Sequence, residues 1–303
     1  MANSTLLQLV TQVTGELGIA QPATVVGNTT ADVVQILALM NASGYELLRK
    51  ADWRQLTTPY TFFAQWLTTT GTYTTSSAVI TGIPSTAALD TTYMLAGGIF
   101  PNATFIQSVD SPTQVTMSQL PIANGTNASL PFQKAKYNFP SDYDAIVPAT
   151  QWDKSKHWQM LGPESAQQWE FILSGYISTG PRVRWRLFGE YFQIWPGFSN
   201  TEVLGFEYRS KGWARAADGT VKNSFTLDTD TCIYPDRLMV LSTKLKYMES
   251  KGLPAQALFQ DYMRELEVDI AQNVSAANLS LAPRPGSVLL DWSNIPDSNY
   301  GIS

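Results

Sequence analysis

The stretch from Ala31 to Trp53 sets the tightest limit on what this chain can fold into. Val33, Ile36, Leu37, Met40, Gly44, Leu47, Leu48 and Ala51 fall at helical spacing, which predicts a long helix with one apolar face. Thr29 or Thr30 can cap its first turn, Asp32 sits near its positive end, and Arg49 and Lys50 sit near its negative end. At about 1.5 Å per residue such a helix is roughly 33 Å long. It carries too much apolar surface to stand alone. The best covering elements lie far along the chain, at Tyr234 to Lys251 and Pro254 to Ser275. That separation predicts an α+β fold, with a helical body of about four helices built from both chain ends and an antiparallel β domain inserted between them.

In chain order, Ser4 or Thr5 opens a short helix with Leu6, Leu9, Val10, Val13 and Leu17 on one face and Gly18 as its stop. A loop then leads to the long helix, making an αα-hairpin. After Trp53, LTTPYTFF and AQWLTT are rich in Thr and aromatics and read as a first strand. Short strands follow: SAVITGI, TTYMLAGGI, TFIQSVD, QVTMSQL and SLPFQKA. Pro84, Gly97–Gly98, Pro101, Ser111–Pro112 and Asn124–Gly125 punctuate them. Their spacing predicts a small β-sandwich-like or barrel-like insertion, almost free of charge until Lys134. GPESAQQWEFILSG reads as a short helix with Pro163 at its first turn and Trp169, Phe171, Ile172 and Leu173 on a core.

The strand RVRWRLF alternates, with Arg182, Arg184 and Arg186 on one face and Val183, Trp185 and Leu187 on the other. Tyr191 to Trp195 and Val203 to Tyr208 extend the sheet, with Pro196–Gly197 as the turn. A row of charges on a strand is most often a solvated face. It can also contact phosphate or pair with a neighbouring subunit's carboxylates. In the C-terminal helices, Leu238, Leu241, Leu245 and Met248 form one stripe, and Ala257, Leu258, Met263, Leu266 and Ile270 another. The resulting partition is residues 1–56 and 233–278 for the helical body, 57–70 and 133–232 for the β domain, 71–132 for the small β module, and 279–303 for a C-terminal arm. That arm has prolines at 283, 285 and 296 and no helical period. Its apolar Leu289, Leu290 and Trp292 suit an extension that orders on a partner.

Chemistry is sparse. His157 is the one histidine and Cys232 the one cysteine, which leaves no Cys/His metal site and no intrachain disulfide. No nucleophile elbow, Walker loop or dinucleotide fingerprint occurs. Asp228 and Asp230 look like a fragment of a calcium loop, but the required glycine and glutamate positions are not filled. Asp142 and Asp144 fit turn-shaping better than acid/base work. The expectation is therefore no enzyme, no metal and no cofactor. A formal charge of −5 offers no global attraction to nucleic acid or acidic membrane. No signal peptide and no run of about 18 apolar residues suggests a membrane partner.

The order of several segments carries a resemblance: LLRKADWRQL, FPSDYDAIVPATQWD, GPESAQQWEFILSG, FQIWPGFSNTEVLGFEYRSKGW and LDTDTCIYPDRLMVLSTKLKYMESKGLP. In these the chain resembles the head-to-tail adaptor (connector) proteins of tailed bacteriophages, especially short-tailed phages. The resemblance implies a virion protein of the phage neck, made in the host cytoplasm and not an enzyme. It implies a homo-oligomeric ring, dodecameric to match the portal, that docks on the portal protein, extends and helps close the DNA channel, and carries the tail nozzle or fibre proteins. Packaged DNA passes through such a ring without sequence-specific binding. On this reading Arg284, Leu289, Leu290 and Trp292 contact the portal or a neighbouring subunit, and Arg182, Arg184 and Arg186 are candidate subunit or DNA contacts. The alternative is a tail or fibre-type binding module that recognises a cell-surface glycan through its aromatic, Thr-rich β portion.

Overall fold

The computed structural model describes residues 3–174 and 182–273. The chain is mixed α+β, with five helices among these residues and sheets whose ladders are antiparallel. The helices are α1 (Leu6–Leu17), α2 (Ala31–Lys50), α3 (Ala166–Leu173), α4 (Asp236–Ser250) and α5 (Gln256–Asn273). The expected arm residues Arg284, Leu289, Leu290 and Trp292 lie outside the described residues.

Helix α1 starts with a capping box. Gln8 N donates to Thr5 Oγ1 and Thr5 N donates to Gln8 Oε1 at 2.9 Å, and Gly18 closes the helix at φ 70°. Thr30 occupies the N-cap of α2 without a side-chain hydrogen bond. The buried face of α2 runs through Val33, Ile36, Met40, Ser43, Gly44 and Leu47. Helix α2 ends at Lys50, and Trp53 folds back so that its indole N–H donates to Leu47 O at 2.7 Å. Gly44 is required by contact. A Cβ there would sit 2.3 Å from Trp213 Cζ2, because the Trp213 ring lies against the helix backbone, while Tyr234 Oη donates to Gly44 O at 3.1 Å.

The helix covered on most sides is α4. Leu238, Met239, Val240, Leu241, Ser242, Thr243, Leu245 and Tyr247 are all buried, so apolar contacts surround its first half instead of lining the single expected stripe. Its polar interior is satisfied locally, as Thr243 Oγ1 donates to Met239 O at 2.8 Å. Residues of α1, α2, α4 and α5 contribute to one apolar cluster together with Trp53, Trp213, Phe225 and Tyr234. Helix α5 adds only Tyr262 and Leu266 as fully buried apolar residues. Ala257, expected on its inner stripe, is exposed.

The segment read as one strand after Trp53 is two, Thr57–Phe63 and Trp66–Thr74, and they belong to different sheets. Thr57–Phe63 pairs in full register with Val203–Ser210, from Thr57 opposite Arg209 to Phe63 opposite Val203. Trp66–Thr74 pairs with Gly125–Lys134 in a six-stranded sheet. That sheet runs Tyr93–Leu95, Gly125–Lys134, Trp66–Thr74, Ser77–Thr81, Gln114–Met117, Ile106–Ser111, and a bridge between Met94 and Phe105 brings its two edges together. The result is one sheet curled into a nearly closed barrel around Ile80, Val115, Leu130 and Phe132, where a two-sheet sandwich was the alternative expectation. A register shift falls between Gly71 and Tyr73, and a Cβ on Gly71 would meet Leu130 Cδ1 at 2.6 Å, so the bare backbone there leaves room for the barrel core.

Tyr191–Trp195 does not continue into Val203–Ser210. It pairs instead with Arg184–Phe188 and Lys136–Asn138 in a separate three-stranded sheet. Pro196–Gly197 is thus where the chain crosses between sheets, not a hairpin turn. Gly197 makes room for the barrel there, since a Cβ would lie 2.7 Å from Gln133 Cβ. The two sheets face each other across an aromatic core of Phe62, Tyr137, Trp185, Phe192, Phe206 and Tyr208.

Candidate functional site

Helix α3 begins at a capping box between Ser165 and Gln168, with Pro163 ahead of the cap and not in the first turn. The helix places Trp169 and Ile172 inward, whereas Phe171 turns out, because residues two apart on a helix do not share a face. Trp169 covers the three-stranded sheet on the face that carries the arginine row. That face is therefore not the wet side of a one-sided sheet. Gln193, directly across from Arg186, is 2% exposed, and Trp195, across from Arg184, is 8% exposed. Met94 and Ala135 pack with Trp169, Ile172 and Trp195 in one cluster.

The three arginines meet different fates. Arg184 Nη1 donates to Glu164 Oε1 at 2.5 Å, and the Glu164 side chain is almost buried. Arg186 Nε donates to Gln193 Oε1 at 2.9 Å, and its guanidinium sits 4.6 Å from the Trp169 ring centre and 4.5 Å from that of Phe188. Arg182 lies ahead of the strand and is exposed. The expected alternation holds for Val183 and Trp185, which are buried, and fails at Leu187, which is exposed at the hairpin end. Lys136 joins the row from the neighbouring strand: it faces Gln193 on the other side from Arg186, and its ammonium lies 4.5 Å from the Phe105 ring centre. Burial pulls the Lys136 ammonium below its usual range, and the nearby Arg186 pulls it further. Burial likewise lowers Arg186. Two desolvated cations held by aromatic faces thus tie the barrel, α3 and the three-stranded sheet together. Sequence spacing marked the arginines but not Lys136, Glu164 or Trp169, whose approach depends on pairings between distant segments.

A second feature is a cleft of about 490 Å³ beside the Val203–Ser210 strand, lined by Trp152, Lys154, His157 and Glu207 among others. Ala149 and His157 both line it at positive φ, 62° and 57°. Lys154 crosses Gly205 to donate to Thr61 Oγ1 at 2.7 Å. His157 is exposed.

The acidic pairs serve the fold. Asp142 accepts from Tyr208 Oη at 2.8 Å and Ser210 Oγ at 2.6 Å, while Asp144 pairs with Arg49 at 3.1 Å. Asp228 accepts the Val25 and Val26 amides, and Asp230 accepts the Thr226 and Leu227 amides and the Lys222 ammonium at 2.8 Å. Both carboxylates of the calcium-like fragment are thus occupied by the chain itself. Burial pushes the Cys232 thiol up to about 12, which removes it as a nucleophile near neutral pH. Among the described residues no group of His, Cys, Asp and Glu is placed to hold a metal ion, and no helix is long and apolar enough to cross a membrane. No known family and no curated protein matches the chain.

Proposed function

We propose that this chain is the head-to-tail adaptor of a tailed bacteriophage, a structural ring subunit that docks on the portal, extends the DNA channel and carries the tail. The observation that supports this reading is the apolar core shared by α1, α2, α4 and α5 from the two ends of the described chain, to which Trp213 and Phe225 from the intervening β region also contribute. The finer architecture belongs to the same proposal: a helical body from both chain ends near the channel, the β domain outward, and the 279–303 arm crossing to the portal or a neighbour through Arg284, Leu289, Leu290 and Trp292. A ring of identical copies needs two different matching faces on each subunit. The negative net charge suits a channel wall that DNA slides past.

The deciding experiment is electron microscopy of the purified protein, alone and mixed with its cognate portal ring, for the full chain and for a variant lacking residues 279–303. The expected result is a dodecameric ring stacked coaxially on the portal for the full chain, and a folded protein that fails to attach for the truncated one. A stable trimer with no portal association overturns the adaptor reading. That outcome favours a tail or fibre-type module binding a cell-surface glycan, for which the Trp152–His157 cleft, with two side-chain-bearing residues held at positive φ, is the specific supporting observation.

A further inference from the structure

Lys136 and Arg186 carry charge that no neighbour balances. They stand on one face of the three-stranded sheet, on either side of Gln193, which is paired in register with both. Phe188 lies two residues beyond Arg186 on the same face. Its ring centre is 4.5 Å from the Arg186 guanidinium and 5.7 Å from the Lys136 ammonium, so the two cations share one ring. Most of their N–H groups are unused. Arg186 spends Nε on Gln193. Among the described residues its terminal nitrogens and the Lys136 ammonium have no hydrogen-bonded acceptor and no ion-paired carboxylate. Arg184, by contrast, has Glu164. Asp90 acts on Lys136 and Glu170 on Arg186 only from beyond ion-pair distance, and both carboxylates are exposed.

The rings of Phe105, Trp169 and Phe188 take water away from one side of each cation and offer no oxygen in return. Both cations remain partly exposed and Phe188 is 47% exposed, so the site opens to solvent at the hairpin end of the sheet. Like charges held close and half desolvated favour an anion beside them. The donor set selects its class. A guanidinium with free terminal nitrogens presents a fork that grips two oxygens of a tetrahedral anion, and an ammonium adds a donor from another direction. One phosphate, at about −1.5 to −2 near neutral pH, matches two positive charges, whereas a carboxylate matches one. Asn138 and Tyr191, next along the same face, add polar groups without charge.

We propose that Lys136 and Arg186 form a phosphate-binding site beside the Phe188 ring, the guanidinium gripping two phosphate oxygens and the ammonium a third. Arg182 and Arg184 take no part in it. The site stands independently of the adaptor reading and is testable without a portal.

The test titrates the full chain with inorganic phosphate at about pH 7.5, where phosphate is mostly dianionic, against chloride at equal ionic strength. Side-chain NMR signals of Arg186 and Lys136 report the binding. The expected result is saturable movement of both signals with one affinity. Lys136→Gln, read on Arg186, and Arg186→Gln, read on Lys136, should each weaken it about tenfold or more, and Arg182→Gln should leave it unchanged. Arg186 also stacks on Trp169, so Lys136→Gln, checked for an unchanged urea midpoint, decides where the Arg186 variant is destabilised. A second arm titrates a short DNA duplex. Binding of phosphate alone identifies a free phosphate or monoester as the ligand. Duplex binding that phosphate competes away and Lys136→Gln weakens identifies a nucleic-acid backbone as its source. No saturable movement with either probe overturns the site, as does an affinity that both substitutions leave unchanged. Acetate binding as tightly as phosphate overturns the choice of anion.

Discussion

Arg182, Arg184 and Arg186 look equivalent in sequence, and the structure gives them three different environments. Arg184 neutralises a nearly buried Glu164. Replacing Arg184 by Ala leaves that carboxylate unpaired and should cost about 2 kcal/mol of stability, read as a lower urea midpoint with an unchanged slope. Arg182, exposed ahead of the strand, is the residue for testing a neighbour or DNA contact. Arg182→Glu should leave the urea midpoint unchanged while weakening ring assembly, with the defect largest at low salt. Assembly that is insensitive to both the substitution and salt would make Arg182 plain solvated surface. The alternation of this strand was readable from sequence as far as Trp185, because a strand's period of two is local. The cover over its polar face was not readable, because it comes from α3 and from the barrel edge, which no pattern within the strand reports.

Among the elements, α2 advertises itself through a clean apolar stripe, yet α4 is the helix most surrounded. Ser242 and Thr243 hide it, since they read as polar positions although the helix's own carbonyl satisfies Thr243. The boundaries of α1 were legible from Thr5, Gln8 and Gly18, residues whose chemistry acts within a few positions. The split of Thr57–Thr74 into two strands was not, because Ala64 and Gln65 carry no turn signal. Ion pairs recur around α4: Lys244 with Glu16 at 2.5 Å, Arg237 with the same carboxylate at 3.9 Å, Lys246 with Glu46, and Lys251 with Asp32 at 3.2 Å. Hydrogen bonds from Lys244 and Lys246 hold Glu16 and Glu46 below the usual carboxylate range, and one from Tyr247 followed by Lys251 does so for Asp32. A carboxyl whose pKa is depressed by folding stabilises the folded state above its unfolded pKa, near 4 for these groups. That contribution disappears as pH falls through the lower folded value. The urea midpoint should therefore be flat from pH 7 to about 5 and drop below about 4, with a smaller drop in a Glu16→Gln, Glu46→Gln double variant. Equal drops in both proteins would place the acid sensitivity elsewhere.

Across the whole molecule, the first residues are stitched to a region near the far end of the described chain. Leu6 N donates to Asp230 O at 2.7 Å and Leu7 N to Asp228 O, so two of the free amides at the start of α1 are satisfied there. Ser4 Oγ donates to Asp236 Oδ2 at 2.6 Å, and Asn3 reaches the Cys232 carbonyl. The barrel, by contrast, closes within residues 66–134 and has its own core. Pulse-labelled hydrogen exchange during refolding should therefore find the barrel amides protected first and those of α1 and α2 only together with α4. Simultaneous protection everywhere would overturn that order. On a ribosome the same stitching imposes a wait. The α1–α2 hairpin emerges first, with its apolar faces bare, and its main partner α4 is not complete until about two hundred further residues have been made. At roughly 5–20 residues per second that exposure lasts from about ten seconds to most of a minute, a window in which the hairpin depends on chaperones for protection and in which a second nascent copy is its most dangerous neighbour.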